Sequence, residues 1–72
     1  MKDQQHIDQI GAMIRDARSA QNMTQQQLAD KCGIAKSRIS KAENDIGNVP
    51  VSILRTIIEK GLGGQFHIAF DY

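Results

Sequence analysis

Between Lys31 and Ala42 the chain carries four cations, Lys31, Lys36, Arg38 and Lys41, and no acid. Ammonium and guanidinium groups at that density suit contact with an anion. The rest of the chain cancels them to a net charge of +1, so any positive field is a small local patch. Taken alone, the cluster reads more simply as a solvated helix face. Other chemistry is poorly supported. Cys32 is the only cysteine, with no histidine or acid near it in sequence to activate it, and it reads as a small buried residue at a helix end. His6 and His67 stand apart and, with one cysteine, make no recognisable metal set. Gly61-Leu62-Gly63-Gly64 looks superficially like a phosphate loop, but it follows a helix and precedes a strand. Nucleotide-binding loops need the opposite order. A helix cap and a turn explain these glycines. No nucleophile–base pair is present, so no enzyme, metal or cofactor is expected.

The elements that must position the cations come from a short chain. Its 72 residues allow one small domain, which buries only about 60% of the surface it exposes when unfolded. One cysteine excludes disulfide staples, and the hydrophobic fraction of 40% excludes disorder. No apolar run approaches the roughly 18 residues of a membrane span, and MKDQQHID lacks the apolar stretch of a signal peptide. A reduced cytoplasmic setting is expected. The only Phe, Tyr or Trp residues, Phe66, Phe70 and Tyr72, fall in the last seven residues, which leaves the body of the domain to pack without one.

Ile7, Ile10, Ile14 and Ala17 recur at helical spacing with Met13 beside them, which predicts a first helix over about 5–20. Met23-Thr24-Gln25-Gln26-Gln27-Leu28 is a helix start. Thr24 and Gln27 can exchange bonds as a capping box, and Met23 and Leu28 can form the hydrophobic staple. This second helix must stop near Cys32, because Gly33 supplies the positive φ of a tight turn. Ile34, Ile39 and Ala42 predict a third helix over about 35–43, although Ala35 is a poor cap. Asn44–Asn48 reads as a loop. Pro50 suits the first turn of a fourth helix with apolar positions Val51, Leu54, Ile57 and Ile58, an Arg55–Glu59 pair on its exposed side, and Gly61 at its end. From Gln65 the period changes. Phe66, Ile68, Phe70 and Tyr72 alternate with His67, Ala69 and Asp71, a strand pattern with one apolar face.

Two short helices joined by a turn around Gly33 have the geometry of a helix-turn-helix. Ala29 is small where they would cross, Gly33 makes the turn, and Ile39 is apolar where the third helix would pack back on the second. The stretch TQQQLADKCGI, with SRISKAEN after it and IGAMIRDAR before it, resembles the Cro/C1-type (XRE) helix-turn-helix family over roughly residues 10–62. That family includes phage repressors and the antitoxins of bacterial toxin–antitoxin pairs. The resemblance implies a mainly α domain, a four- to five-helix bundle of the lambda-repressor-like type. It also implies that helix 35–43 enters the DNA major groove. Lys36, Ser37, Ser40 and Lys41 match the family's base-reading surface, where lysine donates to guanine O6 and N7 and serine donates or accepts. Arg38 lies on a neighbouring face, able to reach phosphate or base. Gln25 matches a phosphate-binding position beside free helix N-terminal amides, and Asn44 is a further phosphate candidate. Glu43 looks misplaced near a helix C-terminus, where a carboxylate opposes the macrodipole. The resemblance pairs it with Arg18.

A lone apolar strand leaves its backbone groups unsatisfied and invites pairing. The expected arrangement is a helix-turn-helix domain over 1–64 and a dimerisation strand over 65–72, paired antiparallel across a two-fold axis through Phe66, Ile68, Phe70 and Tyr72. The alternative is that the tail folds back on its own fourth helix. A dimer would set two recognition helices about 34–36 Å apart on a near-palindromic operator. A small helix-turn-helix followed by one strand looks most like the antitoxins of type II toxin–antitoxin systems. The expected function is a dimeric, sequence-specific repressor of its own operon, with double-stranded DNA and a cognate toxin as partners, acting in the bacterial cytoplasm at the nucleoid. A phage-type or general regulator, or an interaction module of the same fold that has lost DNA binding, are the alternatives.

Overall fold

The computed structural model describes residues 2–67, with side chains from residue 9 onward. The described chain forms α1 (Lys2–Ala20), α2 (Gln25–Cys32), α3 (Lys36–Asn44), a 3₁₀ turn (Ile46–Asn48) and α4 (Val51–Arg55). The last helix runs on as a π-helical turn over Thr56–Gly61.

Each junction has a local cause. α1 ends where Asn22 takes a left-handed φ of 57°, with Asn22 N–H donating to the Ser19 carbonyl and Met23 N–H to that of Arg18. Thr24 then caps α2: its Oγ1 accepts from Gln27 N–H at 3.0 Å, and the Gln27 side chain accepts from Thr24 N–H at 2.8 Å. Met23 packs on the core beside the staple partner Leu28, which is fully buried. Gly33, at φ 72°, closes α2; its N–H donates to Asp30 and that of Ile34 to Ala29. The result is a three-residue connection, Gly33 to Ala35, that turns the chain directly into α3.

The core is aliphatic: Ile14 from α1, Leu28, Ala29 and Cys32 from α2, Ile39 and Ala42 from α3, Ile46 from the 3₁₀ turn, and Leu54 and Ile57 from the last helix. Gly11 is buried where α1 crosses the end of α3. A Cβ there would lie 2.8 Å from the Glu43 carbonyl oxygen and 3.1 Å from that of Ala42. At Gly61 a Cβ would strike Cys32 Sγ and sit 2.6 Å from Leu28 Cδ1. Both crossings therefore depend on the absence of a side chain.

Several sequence expectations need correction. Ile10 and Met13, predicted on the buried stripe of the first helix, are 39% and 67% exposed, because the stripe that α1 buries centres on Gly11 and Ile14. Val51, predicted in the core, is 52% exposed at the first turn of α4. Pro50 caps that helix from outside; its carbonyl accepts from Ile53 and Leu54. The segment expected as a loop contains the 3₁₀ turn, which exists because Ile46 reaches the core. The strand expected over 65–72 does not begin where it should: Gln65, Phe66 and His67 have no regular secondary structure. Gly63, at φ 75°, and Gly64, which donates to the Ile58 carbonyl at 2.8 Å, turn the chain, and Phe66 packs half-buried against the core. An apolar ring next to an incomplete aliphatic core gains more from that surface than from an unpaired strand. Ile68, Phe70 and Tyr72, like the side chains of His6 and Ile7, lie outside the described residues.

Candidate nucleic-acid interface

The cations of α3 are separated from its anchors by the helix itself. With 3.6 residues per turn, Ile39, Ala42 and Glu43 fall on one side and are buried. Lys36, Ser37, Arg38, Lys41 and Asn44 are exposed, and Ser40 is half-buried between the two faces. Ala35, at the N-cap position, offers no side-chain bond, so nothing caps the first-turn amides of this exposed face from within. Ser37, Arg38 and Lys41 also line a shallow pocket of about 280 Å³ with Asn48, Val49 and Pro50. Asn48 donates to the Asp45 carboxylate at 2.8 Å. The sequence reading did not include this wall. Its signal was the turn composition of Asn44–Asn48, which marks a connection but not where the connection lies.

Glu43 is the pivot of the site, with a side chain only 2% exposed. Arg18 of α1 donates to it twice, from Nε to Oε2 at 2.7 Å and from Nη2 to Oε1 at 3.2 Å. The third guanidinium nitrogen, Nη1, donates to the Met23 carbonyl at 2.7 Å, in the connection between α1 and α2. Gln25 Nε2 donates to Glu43 Oε1 at 3.2 Å. One carboxylate therefore joins the end of α1, the start of α2 and the end of α3. The fork geometry explains why the position needs arginine, since lysine cannot make two parallel bonds and a third elsewhere. Its bond to Glu43 pushes the guanidinium pKa above its ordinary value, against burial. The dipole opposition at Glu43 is thereby offset.

Two of the expected phosphate contacts are placed differently from the outer face of α3. Gln25 is half-buried with its amide turned to Glu43, although an amide nitrogen carries a second N–H. Asn44 donates back to the Ser40 carbonyl at 2.9 Å. Thr24, Ala29, Gly33 and Ile39 occupy the cap, crossing, turn and packing positions of the α2–α3 pair. Cys32 is buried behind α2, and desolvation pushes its thiol pKa up while Lys60 and Lys31 pull it partly back. A neutral thiol in that position is packing rather than a nucleophile. Among the described residues no group of three His, Cys, Asp or Glu could hold a metal ion, and no helix is long and apolar enough to cross a membrane.

A model of the helix-turn-helix family matches residues 14–60, from the buried Ile14 of α1 to the end of the last helix. This chain belongs to the helix-turn-helix family. The helix-turn-helix proper is α2, the Gly33 turn and α3, with α1 and α4 as its support. Among curated proteins the chain is similar to "Putative antitoxin HigA2" of Mycobacterium tuberculosis, 41% identical over 63 residues. That match covers 85% of this chain and 61% of the mycobacterial protein, so the chain spans about three-fifths of its relative's length.

Proposed function

We propose that this helix-turn-helix protein is a sequence-specific transcriptional repressor that acts as a dimer on a near-palindromic operator. We propose further that it is the antitoxin of a toxin–antitoxin pair and represses its own operon in the bacterial cytoplasm. The observation that carries the DNA reading is the exposed, acid-free face of α3, presented by a helix whose opposite face is locked by Ile39, Ala42 and the buried Glu43. Lys36, Ser37, Ser40 and Lys41 read bases from this face. Arg38 takes a phosphate or a base. Phosphates contact the uncapped start of α3, and Gln25 offers its remaining N–H at the start of α2. Asn44 lies at the far end of the same helix and contacts the backbone there. The domain over 1–64 carries this recognition, and 65–72 serves dimerisation. The antitoxin assignment is supported by the printed name of the mycobacterial relative, and it implies a toxin as protein partner.

The test is DNA binding measured over a salt series on the chain's own upstream region and on scrambled DNA. Specific binding should weaken steeply with salt, and Lys36→Ala/Lys41→Ala should lower both affinity and salt slope, the slope by up to about 2 if both contact phosphate. Binding equally weak to every sequence and indifferent to those lysines would overturn the DNA reading. It would favour an interaction module of the same fold. A neighbouring toxin gene separates the antitoxin from a phage-type or general regulator.

A further inference from the structure

The exposed face of α3 has a hydrogen-bonding character as well as a charge. Successive helical residues turn by about 100°, so with Ile39, Ala42 and Glu43 buried on the inside, Ser37 and Lys41 point most directly outward. These two lie one turn apart. Lys36 and Ser40, also one turn apart, flank them on one side. Arg38 flanks them on the other, toward the wall made by Asn48, Val49 and Pro50.

Lysine and arginine only donate, while serine can donate or accept. The side chains that could accept from a base, or donate and accept together, are occupied inside the chain. Glu43 is buried beneath Arg18 and Gln25. Asp45, just past the helix, accepts from Asn48. Asn44 donates back to the Ser40 carbonyl. The three amides of α2 are engaged likewise: Gln25 bonds to Glu43, Gln26 donates to Asp30 at 2.8 Å, and Gln27 closes the capping box with Thr24. Ile39 and Ala42, the apolar residues of α3, are buried, so within the helix no apolar side chain faces outward to meet a thymine methyl.

In the major groove guanine presents two acceptors, N7 and O6, side by side. Adenine presents N7 next to an amino donor, thymine one acceptor beside its methyl group, and cytosine a donor. A side chain that only donates satisfies both acceptors of guanine, and meets another donor at adenine or cytosine. We infer that α3 is a guanine reader: its donor-rich outer face selects DNA sites that present guanine N7 and O6 to it, with Lys41 as the central reading side chain. This rests on the DNA reading above and deepens it by naming the bases. The preference is shared by Lys36 and Arg38, so it does not depend on which cation sits deepest in the groove.

The experiment is selection from a pool of random DNA duplexes with the full chain, followed by affinity measurements on the enriched sequence. The enriched duplexes should share G·C pairs. Replacing those guanines by 7-deazaguanine, which keeps base pairing but carries carbon in place of N7, should weaken binding about fivefold or more. The same replacement at adenines should change it little. Lys41 is exposed, so Lys41→Gln leaves the fold intact. It should move one shared position from G·C to A·T, because an amide both donates and accepts, as adenine requires. Enriched duplexes without shared G·C pairs, or an affinity indifferent to 7-deazaguanine, would overturn the guanine reading and leave the DNA reading standing. An unchanged selection by Lys41→Gln would overturn the role of Lys41. A pool that yields no enriched sequence would overturn the guanine reading and the DNA reading together.

Discussion

Replacing Gly11 by alanine sets two effects of known size against each other. In an unobstructed helix interior the change stabilises by about 1 kcal/mol, because alanine has the better helix propensity. Here the new Cβ would stand 2.8 Å from the Glu43 carbonyl oxygen, 3.1 Å from that of Ala42 and 3.2 Å from the Glu43 carbonyl carbon. All three are backbone atoms of α3, which cannot rotate aside as a side chain can, so α1 must lift away. Overpacking of this kind costs about 1–3 kcal/mol. Lifting α1 also stretches the 2.7 Å bond from Arg18 to Glu43. The cost exceeds the propensity gain, and Gly11→Ala is expected to destabilise by about 1–2 kcal/mol. Urea unfolding followed by helical circular dichroism measures it. With a slope near 1 kcal/mol/M for so small a domain, the midpoint should fall by about 1–2 M. Ala12→Gly, one position along, serves as the control for propensity alone. A midpoint that rises in Gly11→Ala would refute the reasoning, since it would mean that α1 does not rest on the carbonyls of Ala42 and Glu43.

Glu43→Gln should cost about 3 kcal/mol, the lower end for breaking a buried pair because Arg18 keeps 15% side-chain exposure. Against a total of about 4–11 kcal/mol for a domain of this size that is a severe loss, and calorimetry would show it. Replacing both partners, Arg18→Met with Glu43→Leu, should cost less than either single change, which a double-mutant cycle measures. Gly61→Ala should destabilise by about 1–3 kcal/mol through collision with Cys32 and Leu28, and adding Cys32→Ala should restore part of the loss in the same urea assay. Burial raises the Cys32 thiol above its ordinary value of 9.0. Its stabilising contribution is therefore complete below about pH 9, where the unfolded chain's thiol begins to ionise, and is lost as pH rises through the folded value. The melting-temperature difference between the wild type and Cys32→Ala should shrink, to the disadvantage of the wild type, as pH is raised above that point.

What could be read without coordinates was whatever the backbone decides within a few residues. Thr24 and Gln27 satisfy each other's amides over three positions, and Gly33 ends α2 through its own φ, so both were visible as residue types at a spacing. Asn22 does at α1 what Gly33 does at α2, yet it was not singled out, because asparagine enters the left-handed region less exclusively than glycine. Ile46 looked like part of a loop because the four residues around it, Asn44, Asp45, Gly47 and Asn48, are turn formers; only the position of the core shows why it is apolar. Gly11 carried no signal at all. A glycine inside a helical pattern becomes meaningful only when the crossing helix is known. Arg18 and Glu43 lie 25 positions apart, and residue types alone give no reason to join them. The family resemblance did so. Periodicity also misled at Ile10, Met13 and Val51, since an apolar stripe does not say which of its residues the neighbouring helices cover. The π-helical turn left no readable trace in the apolar spacing of the last helix.

The division of α3 into two faces has a consequence for how such a protein changes. The residues that hold the helix, Ile39, Ala42 and Glu43, are buried, while Lys36, Ser37, Arg38 and Lys41 project outward and take part in no core contact. Substitutions on the outer face are therefore close to neutral for folding, whatever they do to binding. A lineage can drift from one DNA sequence to another through folded intermediates, never crossing a barrier of instability. The inner face has no such freedom, because Glu43 answers to Arg18 and Gln25 at once. Selection on what is read and selection on what stands up act on different side chains of the same nine-residue helix.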